Sequence, residues 1–393
     1  MKTNLVILTK EKLISIDAIL PLLLELKHDN PTCNIVIVLP SPYNLDLIKK
    51  NIHIYNCLTL LNSKILAPRR DNKLIILFFL VKLMCQLAFS RNIFIKFADT
   101  LFKHKLFMKI LKKISRTVEV FTIIHSPVRS FTPRYATQCA YISKQNPENF
   151  KLNFFEALGD DLLLTSITAE DLNQYYNYNV KNSYLYVGYP RTLEQWNQFI
   201  QNEINNYPII NNKKYFVYNL STLKNRLDSL NEPYLEELLK ETLDILKDFS
   251  KEIHTIFKPH PITDLNLFKN ILNDVGYENF SIDYGHPMVL ASKAEFCIVN
   301  TWSNTVNDAY YQGTPVIEYC SYDKGLTQYW DKYASGWKYT DFFIDRDPIL
   351  LRDTVASILS GEVEIVRDEE FLRNNFPHTP SITKKRLNEL FVH

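Results

Sequence analysis

Short apolar runs alternate with helix-patterned stretches along the whole chain, and that alternation constrains the fold more than any other feature. Apolar runs rich in Val, Ile and aromatics, separated by helical patterns, predict parallel strands joined by crossover helices, an α/β architecture. In the first half the spacing predicts strands at 5–9, 34–39, 118–124, 152–156, 162–165 and 184–187, with helices at 14–27 and 169–176. Gly188-Tyr189-Pro190 closes this series, and a polar, asparagine-rich stretch follows at 201–212. A second series then begins, with strands at 215–220, 252–257, 295–299 and 315–319 and helices at 232–249, 264–273 and 305–312. Single cores rarely grow past about 250–300 residues, so the 393-residue chain is expected to form two domains. The expectation is two Rossmann-like domains facing each other across a cleft, at 1–205 and 206–375. A C-terminal helix within 376–393 is expected to pack back on the first.

Composition excludes some partners. The hydrophobic fraction of 46%, charged fraction of 22% and net charge of +2 are ordinary for a globular protein and give no support for nucleic-acid binding. None of the six cysteines forms a CxxC pair, which favours buried reduced thiols. The N-terminal MKTNLVILTKEK lacks the apolar core of a signal peptide, so a cytoplasmic protein is expected. The apolar segment 74–89, interrupted by Lys82, is shorter than the ~20 residues of a spanning helix and reads as a buried strand or core helix. Segment 91–116 carries eight Lys or Arg against Asp99 alone, with apolar residues at roughly helical spacing. It reads either as a surface helix with a solvated basic face or as a peripheral contact with the anionic inner membrane face.

In parallel α/β sheets ligands bind beyond the carboxyl ends of the strands, so chemistry is sought at the strand tips. The first tip is Lys258-Pro259-His260-Pro261. Prolines fix φ and restrict the preceding residue, so a lysine and a histidine are held just before a helix start. That is either a rigid turn or a phosphate site. The second tip runs from Val299 through Ser303, Asn304 and Thr305 into a helix bearing Asp308 and ending near Gly313. One of Ser303, Asn304 and Thr305 is expected to cap that helix, with or without an anionic ligand beside it. The third tip follows Asn219 and carries Lys224, Arg226 and Asp228, read either as a solvated loop or as charged groups lining a site. In the first half Glu156 ends a predicted strand and suits a general base. Asp160 and Asp161 lie at the wrong end of the next strand, and His125, Ser126, Arg129 and Arg134 follow another. GxGxxG, GxxxxGK[ST] and GxSxG are absent and no metal-ligand spacing occurs, so neither a metal nor another cofactor is expected.

Together these segments resemble GT-B glycosyltransferases. Gly188-Tyr189-Pro190 resembles the G-x-P that closes the first domain of that fold. KPHP resembles the HP motif of bacterial capsule and surface-polysaccharide transferases, and SNTVNDAYYQGTP resembles their serine-then-EAxxxGxP helix. Those motifs occur in enzymes using CMP-activated sugars and in CDP-glycerol transferases. With NLSTLKNRLD added, the set looks most like the retaining β-Kdo transferases of O-antigen and capsule assembly. The resemblance implies CMP-β-Kdo as donor, a glycan or lipid-linked glycan as acceptor, and retention through a covalent glycosyl-enzyme intermediate. It implies Asp228 as nucleophile, His260 with Lys258 at the donor phosphate, and Ser303, Asn304 and Thr305 around the CMP phosphate. Asn219 and Asp308 would line the donor pocket, Arg226 with Lys224 would face the Kdo carboxylate, and Glu156 would be the acceptor base. Asp308 stands where the family usually carries Glu. Rival readings are a CMP-sialic acid or CDP-glycerol transferase, a UDP-sugar epimerase of the same fold, and a non-catalytic nucleotide- or glycan-binding assembly protein.

Overall fold

The computed structural model describes residues 3–10, 13–70, 72–97, 109–110, 113, 116–125, 131–152, 161–165, 168–177, 183–208, 213–223, 230–231, 234–301, 303–329 and 339–391. These form two compact units. The first comprises 1–129, 151–199 and 373–393, and the second 130–150 and 200–372.

The first unit holds a seven-stranded sheet. Its strands are β1 (Thr3–Leu8), β2 (Asn34–Val38), β3 (Lys64–Leu66), β4 (Arg91–Phe97), β5 (Arg116–His125), β6 (Asp161–Thr165) and β7 (Ser183–Gly188). They lie in the order β3-β2-β1-β4-β5-β6-β7, every pairing parallel. The second unit holds β8 (Tyr215–Asn219), β9 (His254–Lys258), β10 (Phe280–Ile282), β11 (Cys297–Val299), β12 (Val316–Cys320) and β13 (Phe342–Asp345). Their order is β10-β9-β8-β11-β12-β13, again all parallel. Parallel sheets need helices on both faces, and their strands therefore read as continuous apolar runs. Leu5 to Leu8, all of β8 and all of β12 are buried. In the second core Phe216 stacks on Phe296 with ring centroids 4.6 Å apart, and Phe257 meets Phe268 edge-on at 4.9 Å.

Two expectations are corrected. The 91–116 stretch is not one basic surface helix: its first seven residues are β4, paired with β1 and β5 in the middle of the sheet. Asn92 to Phe97 are buried, and Lys96 is only 2% exposed. A continuous apolar run suits a doubly covered strand as well as a helix, and the basic residues that suggested a solvated face include this one inside the sheet. The 74–89 segment is a helix, Lys73–Leu87, but not a fully buried one. Ile76, Leu83 and Leu87 enter the core, whereas Leu74, Leu77, Phe78 and Val81 face outward.

Gly188-Tyr189-Pro190 shows why glycine is required. Gly188 ends β7 at φ +78°, and a Cβ there would lie 2.5 Å from the Pro377 carbonyl oxygen and 2.9 Å from that of His378. The Tyr189 amide donates to the same Pro377 oxygen at 2.7 Å. Thr383 Oγ1 then donates to the Tyr186 carbonyl at 2.9 Å, and Lys384 pairs with Glu25, so the Ser381–Glu389 helix is fixed along the first unit. Just past the turn, Arg191 forms a buried ion pair with Asp17 at 2.7 Å. Gly188→Ala is expected to combine left-handed strain of about 1–2 kcal/mol with overpacking of about 1–3 kcal/mol. Urea unfolding should therefore show a loss of roughly 2–5 kcal/mol, with the C-terminal helix more readily digested by protease.

Candidate functional site

The order β10-β9-β8-β11-β12-β13 runs outward in both directions from β8 and β11, which makes the carboxyl end of that pair the switch point where such sheets take ligands. Three strand tips singled out in the sequence meet there. Asn219 and Lys258, the last residues of β8 and β9, are register partners, on strands about 4.8 Å apart. On the other flank Ile298 pairs with Tyr218, so the chain leaves β11 directly into the 300–305 loop.

The Lys258 tip is tied down locally. The Leu220 amide donates to the Lys258 carbonyl at 2.9 Å, and Thr263 Oγ1 donates to the Ser221 carbonyl at 3.2 Å. The Thr263 amide closes the turn onto the His260 carbonyl at 2.9 Å. Pro259 is buried, His260 is exposed, and Lys258 lies between these extremes. Asp264 caps the following Leu265–Val275 helix, accepting from the Asn266 and Leu267 amides at 3.1 Å each. The prolines therefore sit in a loop that is also hydrogen-bonded to the neighbouring strand tip.

At the second tip Ser303 occupies the cap position of the Asn304–Tyr311 helix in extended backbone, but makes no capping hydrogen bond. The expected cap is thus not formed. Thr305 Oγ1 donates instead to Ser303 Oγ at 3.1 Å. A helix N-terminus without a side-chain cap keeps unsatisfied N–H groups and a partial positive charge. The side-chain oxygens of Asn219, Asn304 and Asn307 are also buried without a hydrogen-bond partner. Such orphans are rare and need an explanation; here three belong to one strand tip and one helix start. Asp308 is buried one turn into the helix. At the far end Gly313 has φ +85°, and the Gly313 and Thr314 amides close on Tyr310 and Ala309 at 3.1 Å each.

Two groups at this edge went unread in the sequence. Asn300, the first residue after β11, takes the Tyr218 hydroxyl on Oδ1 and donates to Thr242 Oγ1 at 2.7 Å and to the Tyr319 carbonyl at 3.1 Å. Burial pushes the Tyr218 phenol far above its ordinary range, so it acts as the donor. The loop is thereby anchored to the core before it reaches Ser303. His286, in a second His-Pro pair, is fully buried after β10 and accepts the Met288 amide on Nδ1 at 3.2 Å. Its recurrence of the dipeptide was the available signal.

Lys224, Arg226 and Asp228 lie outside the described residues, as do Glu156, Asp160, Ser126 and Arg129. The described flanks of the 224–229 segment are informative nonetheless. Leu223 follows the β8 tip, and on the other side the Asn231 amide donates to the Ser321 carbonyl at 2.9 Å, just past β12. Both ends are therefore held at the carboxyl edge of the sheet. In the first unit Asp161 opens β6 and His125 ends β5. Lys96 stands near the end of β4, beside β1, at that sheet's own switch point. Among the described residues no three His, Cys, Asp or Glu side chains converge to hold a metal.

No protein-family model matches the sequence, and no curated protein is significantly similar to it. Solved structures do match. UDP-GlcNAc 2-epimerase from Neisseria meningitidis, bound to UDP-GlcNAc, is similar over 99% of each chain at 14% identity and a TM-score of 0.50. UGT2 of Phytolacca americana, complexed with UDP-2-fluoro-glucose and pterostilbene, is similar over 98% of this chain and 94% of that one at 8% identity and a TM-score of 0.50. At such identities the likeness concerns the fold, and with the two parallel sheets it establishes that the chain is built from two Rossmann-like α/β domains of the GT-B type.

Proposed function

We propose that this protein is a glycosyltransferase that moves a sugar from a nucleotide donor bound at the carboxyl edge of the second sheet. The observation that carries this reading is the switch point itself, where Asn219 and Lys258 are register partners beside an uncapped helix start at Ser303. A diphosphate or phosphodiester suits that edge: Lys258 supplies charge, His260 a hydrogen-bond donor, and the helix start its N–H groups. Oriented donors of this kind stabilise a departing phosphate without solvent reorganisation. Both similar structures hold UDP or a UDP-sugar, which supports the class of ligand.

Within that class the motifs favour CMP-β-Kdo as donor and a lipopolysaccharide O-antigen or capsule glycan as acceptor. Transfer proceeds with retention: Asp228 is the nucleophile, Glu156 the acceptor base, and Arg226 faces the Kdo carboxylate. Lys258, Ser303, Asn304 and Thr305 hold the CMP phosphate, His260 assists its departure, and Asp308 and Asn219 line the nucleoside side. Incubation with CMP-Kdo, CMP-sialic acid, CDP-glycerol and UDP-GlcNAc in turn, with nucleotide release followed by ion-exchange chromatography, tests the donor. CMP release from CMP-Kdo alone is expected. Turnover of CDP-glycerol alone makes the Kdo assignment wrong, and conversion of UDP-GlcNAc without any acceptor makes the protein an epimerase.

A further inference from the structure

The Lys73–Leu87 helix has two faces that the uniformly apolar sequence does not distinguish. Ile76, Leu83 and Leu87 are buried, and Leu83 and Leu87 pack with Val6, Leu8, Val36 and Phe94. Leu74, Leu77, Phe78 and Val81 recur at the three- and four-residue spacing of a single helical stripe and point outward, Leu74 at 74% and Phe78 at 81% exposure. Phe89, just past the helix, is 87% exposed. Soluble surfaces rarely carry a contiguous apolar patch of this kind without a partner. The charges beside it are mostly basic: Asp71 is the one acidic residue between positions 69 and 87 of the sequence. Arg69, Arg70, Lys73 and Lys82 are all exposed, and the helix contains no Asp or Glu. Lys82 follows Phe78 by four residues and so sits at the stripe itself.

We propose that this helix docks the first unit on an anionic lipid bilayer, lying in the headgroup plane with Leu74, Leu77, Phe78, Val81 and Phe89 inserted and the four basic residues at the phosphates. At 15 residues it is too short to span, and among the described residues no helix is long and apolar enough to cross a membrane. An amphipathic helix with a basic flank and an apolar face is the form that binds in the interface. The net positive charge selects acidic lipid: each Lys or Arg near an anionic surface strengthens binding about fivefold. The inference is independent of the donor sugar; of segment 91–116, residues 91–97 lie inside the sheet as β4, and 98–108, 111–112 and 114–115 lie outside the described residues.

Co-sedimentation of the full chain with vesicles tests it. Phosphatidylcholine vesicles containing phosphatidylglycerol are expected to bind at least tenfold more protein than phosphatidylcholine alone, with binding falling in high salt. Leu77→Glu with Phe78→Glu should cut binding at least tenfold while leaving the circular dichroism spectrum and CMP-donor turnover unchanged, because neither residue belongs to the unit that carries the second sheet. Equal binding to both vesicle types, or none by the wild type, overturns the proposal. A wild type that binds no vesicles and whose solution mass halves in the double variant assigns the face to a second copy of the chain instead.

Discussion

Arg367→Ala is expected to destabilise the second unit by about 3–5 kcal/mol, the cost of stranding a buried charge. The Arg367 guanidinium pairs with Asp341 in a two-pronged contact at 2.7 and 3.1 Å, both side chains nearly buried. It also donates to the Tyr310 carbonyl at 2.5 Å and the Thr314 carbonyl at 2.6 Å, and lies 3.9 Å over the Tyr310 ring. Alanine removes all of these and leaves the Asp341 carboxylate with the Val316 amide at 2.8 Å. Lysine would not restore the fork, because its point charge cannot serve two carboxylate oxygens and two carbonyls at once. Removing both partners in Arg367→Ala with Asp341→Ala should cost less than the sum of the single changes, since no charge is then stranded. Urea unfolding gives the energy, and amide hydrogen exchange localises it to β12 and the Asn304–Tyr311 helix. A loss below about 1 kcal/mol would show that the pair is dispensable. Because the same side chain holds the C-terminal end of that helix, its loss also loosens the proposed phosphate site at the other end.

Both units were legible in part, for reasons visible in single elements. Strands β8 and β9 carry apolar runs that end in Asn219 and Lys258, and the doubly covered sheet demands such runs. Their pairing was not legible: nothing in the sequence states that Asn219 and Lys258 lie side by side, because register belongs to the sheet. Strand β4 was hidden by its own charges, since Arg91 and Lys96 suggest a wet face on a strand whose centre is dry. Strands β3 and β10 have only three residues each, too few to show a period. The Lys73–Leu87 helix failed for the opposite reason, as a sequence apolar all round carries no signal of which side the core takes. At the site, motif residues were readable as types, whereas Asn300 acquires its importance only from Tyr218, Thr242 and Tyr319 around it.

Asp228→Asn is expected to reduce sugar transfer by at least about a thousandfold, the scale on which removing a covalent nucleophile acts. In the proposed reaction the Asp228 carboxylate forms a bond to the anomeric carbon as the bond from that carbon to the phosphate oxygen breaks, and the electron pair leaves on CMP. Lys258, His260 and the Ser303 helix start receive that charge, so the departing phosphate needs no proton in the first step. In the second step Glu156 takes the acceptor proton as the acceptor oxygen bonds to the anomeric carbon and the ester to Asp228 breaks. Two inversions leave the configuration unchanged. Asparagine keeps the size of the side chain and removes the nucleophilic charge, so the variant should fold normally and still bind CMP. Mass spectrometry of the wild type with donor and no acceptor should show the protein heavier by one sugar residue. Glu156→Gln should accumulate the same species even with acceptor present, and Asp228→Asn should never form it. Full activity in Asp228→Asn removes Asp228 as nucleophile, and an inverted linkage in the product, read by NMR, removes the double displacement altogether.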